Sequence, residues 1–339
     1  MVDESQDAGR PQVTLRDVAE AAGVSLATAS NALTGARRPS AVTTQRVVDT
    51  AKRLGYRRNE VARSLRTGKT NTIALILPDA GDPFWSALVV GVEGAVRATG
   101  RSVVLVTTGF DAEREAALLE GTELAVDGAI LVTCDPDRAA RAIAAGTVPV
   151  VTLDEPVDTP LAGRVTSDNE AGGRLAADLL VDRGGRVFAI VEGRARLHSS
   201  RERSLGFRRR LAERGIPDER VLRIVGDYSF EGGRSGLRRL LERHPDIDAL
   251  FCCSDNAAMG ALFEARDQRI DVPSQLMVCG FDGIEWTSWV RPTISTIAQD
   301  PIALGLAAAA MVTAMIDGAS PPPPVLQPVA VVERESTAR

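Results

Sequence analysis

The 339-residue sequence predicts an all-α helix-turn-helix head followed by a two-lobed α/β body built on parallel sheets. Three observations carry this. Residues 14–33 hold two short amphipathic patterns broken at Gly23. From Thr72 onward, apolar runs of strand length alternate with helical patterns, the texture of parallel sheets covered on both faces. The charge is also split: residues 10–69 carry twelve Lys/Arg against four Asp/Glu, a net +8, which leaves −13 on the remainder of a chain whose total is −5.

In the head, Leu15, Val18, Ala19 and Ala22 recur at i, i+3, i+4 and i+7 and predict one helix with a single buried stripe. Thr14 is its N-cap, with Asp17 three residues on in a capping box. Gly23 stops the helix after about two turns, and Ser25 caps a second helix over 26–33. Such a pair places its second helix in the DNA major groove, although an αα-hairpin on a larger domain has the same pattern. A third helix is expected over 43–54, with Val47, Val48, Ala51 and Leu54 inward and Gly55 as the stop. Residues 1–12 read as a disordered tail and 56–71 as a basic connector with a short helical pattern at Val61, Ala62 and Leu65.

In the body, strands are expected at 73–77, 103–107, 129–133, 148–153, 187–191, 221–225, 249–252 and 276–279. Helices are expected at 84–99, 112–125, 136–145, 169–183, 201–215, 231–243, 256–268 and 300–316. So long a βα series exceeds one comfortable sheet, which predicts two lobes with a cleft between them. Ligands of such sheets bind beyond the strand C-termini. Phe84 and Trp85 fall at that rim, where aromatic faces suit stacking on a sugar or flat ring, and Trp85 fits equally well as core.

A basic segment on an acidic body is the footprint of a polyanion-binding head. No apolar run approaches a membrane span and residues 1–12 have no h-region, so the expected location is cytoplasmic, with no membrane partner. The four cysteines lack CxxC spacing and only two histidines are present. Buried free thiols are expected rather than disulfides, zinc or another cofactor. A small-molecule binding protein without a transcriptional role is the alternative, and it leaves the basic head unexplained. An enzyme finds no support, since Gly172–Gly173 and the Gly280–Asp282 turn do not form a GxGxxG or P-loop after the first strand.

The segments TLRDVAEAAGVSLATASNAL, LGYRRNEVARSL, VPVVTLD, SDN, RSLGF, SDNAAMG and CGFDG, in this order and spacing, together resemble the lactose-repressor (LacI/GalR) family. The resemblance runs from about Val13 to Thr337. It implies a head at 13–57, a hinge at 58–71 and an effector-binding and dimerisation body at 72–339 resembling the periplasmic sugar-binding proteins. Within that body, one lobe takes about 72–166 and 298–330, the other about 167–297 with the C-terminal tail. It further implies a homodimer on a near-palindromic operator in double-stranded DNA, responding to a small-molecule effector. A terminus without a leucine heptad favours the dimer over a tetramer.

The implied DNA-contacting set is Thr14, Ser25, Leu26, Ala27, Thr28, Ser30, Asn31, Asn59, Ala62 and Leu65. Ser25, Thr28 and Ser30 match backbone-anchoring positions. Leu26, Ala27 and Asn31 match base-reading positions, where Asn31 suits adenine and the other two suit only apolar contact. Residues 59–66 match a hinge helix whose leucine, here Leu65, wedges into the minor groove, with Ala62 as the small residue that lets paired hinges approach. Arg58 stands where the family usually has proline. The implied effector set is Phe84, Trp85, Ser199, Arg203, Tyr228, Ser254, Asp282 and Gln299, with Arg203 as clamp and Asp282 as its acidic partner. Asp168 and Asn169 are expected to support the lobe crossover. These groups favour a sugar, and such a clamp also fits purines and acidic metabolites.

Overall fold

The computed structural model describes residues 13–34, 39–56, 68–121 and 124–339. The chain divides into two compact units between Thr70 and Asn71. The expected tail, and the hinge positions Arg58, Asn59, Ala62 and Leu65, lie outside the described residues.

The first unit contains α1 (Leu15–Ala21), α2 (Leu26–Thr34) and α3 (Ala41–Leu54). Thr14 and Asp17 form the capping box: the Thr14 N–H donates to the Asp17 carboxylate (2.7 Å) and the Asp17 N–H to the Thr14 hydroxyl (3.3 Å). Gly23 then takes φ 63°, so that the Val24 N–H reaches the Ala19 carbonyl (3.0 Å) and its own N–H the Glu20 carbonyl (3.1 Å). This Schellman closure needs a left-handed residue, and it turns the chain into α2. α3 starts at Ala41, two residues before the expected Thr43, because Ser40 Oγ takes the Thr43 N–H (3.2 Å) as an N-cap. Val18, Ala19, Ala22, Ala29, Val47 and Ala51 form a small core closed by Leu15, Leu33, Leu54 and Tyr56.

The second unit begins with β1 (Thr72–Leu77), α4 (Pro83–Ala98), β2 (Ser102–Thr107), α5 (Ala112–Leu119), β3 (Gly128–Leu131), α6 (Pro136–Ala145), β4 (Val150–Leu153) and β5 (Ala162–Ser167). It continues with α7 (Asn169–Asp182), β6 (Phe188–Glu192), α8 (His198–Glu213), β7 (Leu222–Val225), α9 (Phe230–Leu241), β8 (Ala249–Cys252), α10 (Asp255–Asp267), β9 (Met277–Asp282) and β10 (Ser295–Ala298). It ends with α11 (Pro301–Ile316), β11 (Val325–Gln327) and β12 (Ala330–Val332). One sheet has the order β11-β5-β4-β3-β1-β2, the other β12-β10-β9-β8-β6-β7. Each is the same doubly wound pattern with one late strand added at an edge, so the body is two lobes of one topology. The chain passes between them after β5, after β10 and after β11.

All described pairings are parallel except β10 with β12, which is antiparallel and gives the second sheet a mixed edge. Strand cores such as Ile73–Leu77 are fully buried, as expected for sheets covered on both faces. α5 is shorter than the expected 112–125, ending at Leu119 with Gly121 at φ 76°. α8 begins at His198, ahead of the expected 201.

Gly172 and Gly173 act in packing, not in nucleotide binding. A Cβ on Gly173 would lie 2.1 Å from the Arg203 carbonyl oxygen, and one on Gly206 2.0 Å from that of Glu170, so α7 and α8 cross with their backbones in contact. Gly173→Ala should therefore force the helices apart and cost about 3 kcal/mol, near the upper end for overpacking. Gly94→Ala, with nothing within 4 Å, should be neutral or stabilise by up to ~1 kcal/mol. Urea midpoints of the two variants check this contrast, and equal shifts would contradict it.

Candidate functional site

The head and the body each carry a candidate surface. In the head, Leu26 is 48 % exposed and Ala27 is exposed, while Ala29 on the opposite side is fully buried against α1 and α3. Ser30 and Asn31 follow Leu26 and Ala27 by four residues and share their outward face. Ser25 and Thr28 sit at the helix N-terminus, where the Thr28 N–H donates to Ser25 Oγ (3.1 Å) and the two hydroxyls lie 2.8 Å apart. The first turn of α2 holds no acidic residue, leaving its positive dipole end free to attract a phosphate. Thr14 is engaged with Asp17 in the cap of α1.

In the body, a cavity of about 350 Å³ opens between the C-terminal edges of the two sheets. All eight residues of the expected effector set line it: Phe84, Trp85, Ser199, Arg203, Tyr228, Ser254, Asp282 and Gln299. Asp82 caps α4, accepting the Phe84 N–H (2.9 Å), and so sets the two aromatics at the rim. Their rings meet edge-on at 4.8 Å. Trp85 is half-buried, packs on the first lobe's core and also lines the cavity.

Arg203 sits at the centre of the second lobe's wall, 3 % exposed. Its Nε donates to Asn169 Oδ1 (2.7 Å), and its Nη1 to the Cys253 carbonyl (2.7 Å) and to Asp282 Oδ1 (3.1 Å). The guanidinium also lies 3.8 Å from the centroid of the Phe281 ring. Asp168 caps α7 through the Ala171 N–H (3.0 Å), which is why the neighbouring Asn169 can hold the arginine. Burial opposes the charge on Arg203, but Asp282 and further groups raise its pKa. Gln299 Nε2 donates to the same Asp282 oxygen (2.9 Å). Ser254 Oγ donates to the Tyr228 carbonyl (2.9 Å), and Tyr228, at φ 72°, turns its hydroxyl to within 2.8 Å of Ser199 Oγ.

Sequence reasoning missed Asp82, Asp154, Glu155, Asn256 and Trp286, which also line the cavity. Asp154 is buried at φ 63°, and among the described residues neither its Oδ1 nor Gln299 Oε1 has a hydrogen-bond partner. Two buried acceptors on the cavity wall thus lack donors among the described residues, a state a ligand rich in hydroxyls would relieve. Burial raises Asp154, with Arg203 pulling it back down, and raises Asp282 well above the carboxylate range against the same arginine. Glu155 is pushed up to about 8 by burial and by Asp154, and Asp255 to about 7 by burial.

Raised acids bind protons in the folded chain that the unfolded chain has already released. Stability should therefore fall as pH rises from the ordinary carboxylate range through 7–8, by about 4 kcal/mol between pH 6 and 8. Denaturant titrations at the two pH values check this, and equal or greater stability at pH 8 would contradict it.

The remaining features are structural. Cys252, Cys253 and Cys279 are buried free thiols and Cys134 is half-buried and free. Among the described residues no His/Cys/Asp/Glu group is arranged to hold a metal, and no helix is long and apolar enough to cross a membrane.

Residues 14–59 match the family model for bacterial regulatory proteins of the lacI family, and residues 177–337 that for a periplasmic binding protein-like domain. The ribose operon repressor of Haemophilus influenzae is 31% identical over 86% of this chain and 88% of its own length. Catabolite control protein A of Priestia megaterium is 30% identical over 89% and 92%. Among solved structures, the lac repressor dimer bound to operator and the anti-inducer ONPF superposes with a TM-score of 0.87 at 28% identity, covering 96% of this chain and 99% of that one. The transcriptional regulator CelR–cellobiose complex does so with a TM-score of 0.72 at 29% identity, covering 96% and 100%. By sequence and by fold alike, this chain belongs to the lacI family of bacterial regulatory proteins.

Proposed function

We propose that the chain is a cytoplasmic repressor that binds a near-palindromic operator as a homodimer and responds to a sugar or related polyol in the cavity between its lobes. The observation that carries the effector class is the pair of donor-less buried acceptors, Asp154 Oδ1 and Gln299 Oε1, beside the Arg203 clamp and the aromatic rim. Similar proteins carry names that fit: a ribose operon repressor and a cellobiose complex of CelR. Head 13–57, hinge 58–71 and effector body 72–339 divide the work, the body as lobes of about 72–166 with 298–330 and 167–297 with the tail.

Self-association has a surface to use. Val90, Leu105, Ile302 and Leu306 are 64, 44, 47 and 47 % exposed on α4, β2 and α11 of the first lobe. An apolar patch of this kind suits a second copy. In the head, Ser25, Thr28 and Ser30 anchor phosphates while Leu26, Ala27 and Asn31 face the bases. Asn59, Ala62 and Leu65 supply the hinge, with Leu65 opening one base step.

The test is an operator titration across salt. A linear log–log slope together with preference for a palindrome over a single half-site is expected. Sequence-indifferent binding would contradict the proposal. On the cognate operator, Leu65→Ala should weaken specific binding at least tenfold more than non-specific binding, and equal losses would remove the wedge.

A further inference from the structure

α8 begins without a cap of its own. Leu197 stands at its N-cap position and offers no side-chain hydrogen bond, although the first turn lines the cavity through Ser199. The missing acceptor comes from the other lobe. Glu155, two residues past β4 and 1 % exposed, accepts the His198 N–H (2.6 Å), the Ser199 N–H (3.3 Å) and the Ser199 hydroxyl. Ser199 in turn meets the Tyr228 hydroxyl at 2.8 Å. Other described ties between the lobes are single contacts: Asn256 Nδ2 donates to Asp82 Oδ2 (2.8 Å), Arg196 pairs with Asp135 (3.7 Å), and the Arg194 guanidinium lies 4.0 Å from the centroid of the Phe110 ring.

We propose that Glu155 is a positioning residue of the effector cavity: by capping α8 from the opposite lobe, it holds the lobes together and sets Ser199 and Tyr228 in place. The free N–H groups of a helix end are satisfied by a capping oxygen or by water. Here the cap and the helix lie in different lobes, so separating the lobes uncaps α8 and solvates Glu155 in one event. Lobe closure and the order of the α8 first turn therefore rise and fall together. An effector that reaches Ser199 and Tyr228 meets groups already oriented from the first lobe, which gives the cavity a route to sense the lobe arrangement. The only element taken from the proposed function is that this cavity holds the effector. The test below uses the ligand-free protein, so it succeeds or fails whether or not the effector is a sugar.

The test is hydrogen exchange and small-angle X-ray scattering on the full-length chain and on Glu155→Ala, Glu155→Gln and Ser199→Ala. In Glu155→Ala the His198 and Ser199 amides should lose protection by about tenfold or more, with the radius of gyration increasing and protection within β6, β8 and β9 unchanged. Glu155→Gln keeps an acceptor oxygen and should restore part of both. Ser199→Ala, which removes only the hydroxyl, should give a smaller loss in the same amides, and it keeps the test decisive if Glu155→Ala fails to fold. The proposal is overturned if these amides keep wild-type protection, if protection falls equally through the second sheet, or if Glu155→Gln behaves as Glu155→Ala does.

Discussion

Arg203→Ala is expected to remove effector binding and to destabilise the body by about 3–5 kcal/mol, the usual cost of breaking a buried ion pair. The guanidinium is almost wholly buried and satisfies Asn169, the Cys253 carbonyl and Asp282 at once. Without it the Asp282 carboxylate stays buried with Gln299 as its described side-chain donor, near Asp82, Asp154 and Asp255, which already push it toward protonation. Arg203→Lys keeps the charge and loses the planar fork, so it should recover part of the stability and little of the binding. Thermal unfolding and calorimetric titration of a bound polyol separate the two effects. Full binding by Arg203→Ala would remove the clamp role.

Asn31→Ala is expected to weaken operator binding by about 2–6 kcal/mol, taking 1–3 kcal/mol for each of two half-sites, and to relax preference at the base pair it faces. The body's stability and ligand affinity should not change. Asn31 shares the outward face of α2 with Ala27, four residues before it, on a helix whose inner face is held by Ala29. The other two residues expected to face the bases, Leu26 and Ala27, offer only apolar contact. Competition of wild-type and variant protein for operators randomised at single positions reads both the affinity and the preference. An unchanged base preference would show that Asn31 does not read sequence.

The head was legible because its signals are local. Thr14 with Asp17, Gly23, Ser25 and Gly55 each act within a few residues, and each performs the turn or cap its side chain or backbone dictates. The apolar strands from β1 to β4 and β6 to β9 were legible for a similar reason: the central ones are runs buried on both faces, which need no register to be seen, and the edge strands β2 and β7 keep a largely apolar composition although they are partly exposed. β5 was hidden by its composition, AGRVTS, and β10 by its four residues, STIA. β11 and β12 are three-residue edge strands following four prolines, and they exist because neighbouring sheets offer them an edge.

The cavity divides in the same way. Strand ends marked the region, and the family resemblance supplied Arg203, Asp282 and the serines. Asp82 reads locally only as a helix cap, and Glu155 reads as one more acid after a strand. The roles of both come from contacts across the lobes, to Asn256 and to the first turn of α8, that no spacing within either segment reveals.

The central claim is that occupancy of the cavity sets the affinity of the head for DNA. It is tested most directly by measuring operator affinity, by fluorescence anisotropy at fixed salt, with and without a polyol that binds the wild-type body, in wild type and in Arg203→Ala. Wild type should shift by about 5–150-fold, corresponding to a coupling of 1–3 kcal/mol, and Arg203→Ala should not shift at any concentration that saturates wild type. An operator affinity that stays the same when the wild-type cavity is filled would contradict the account.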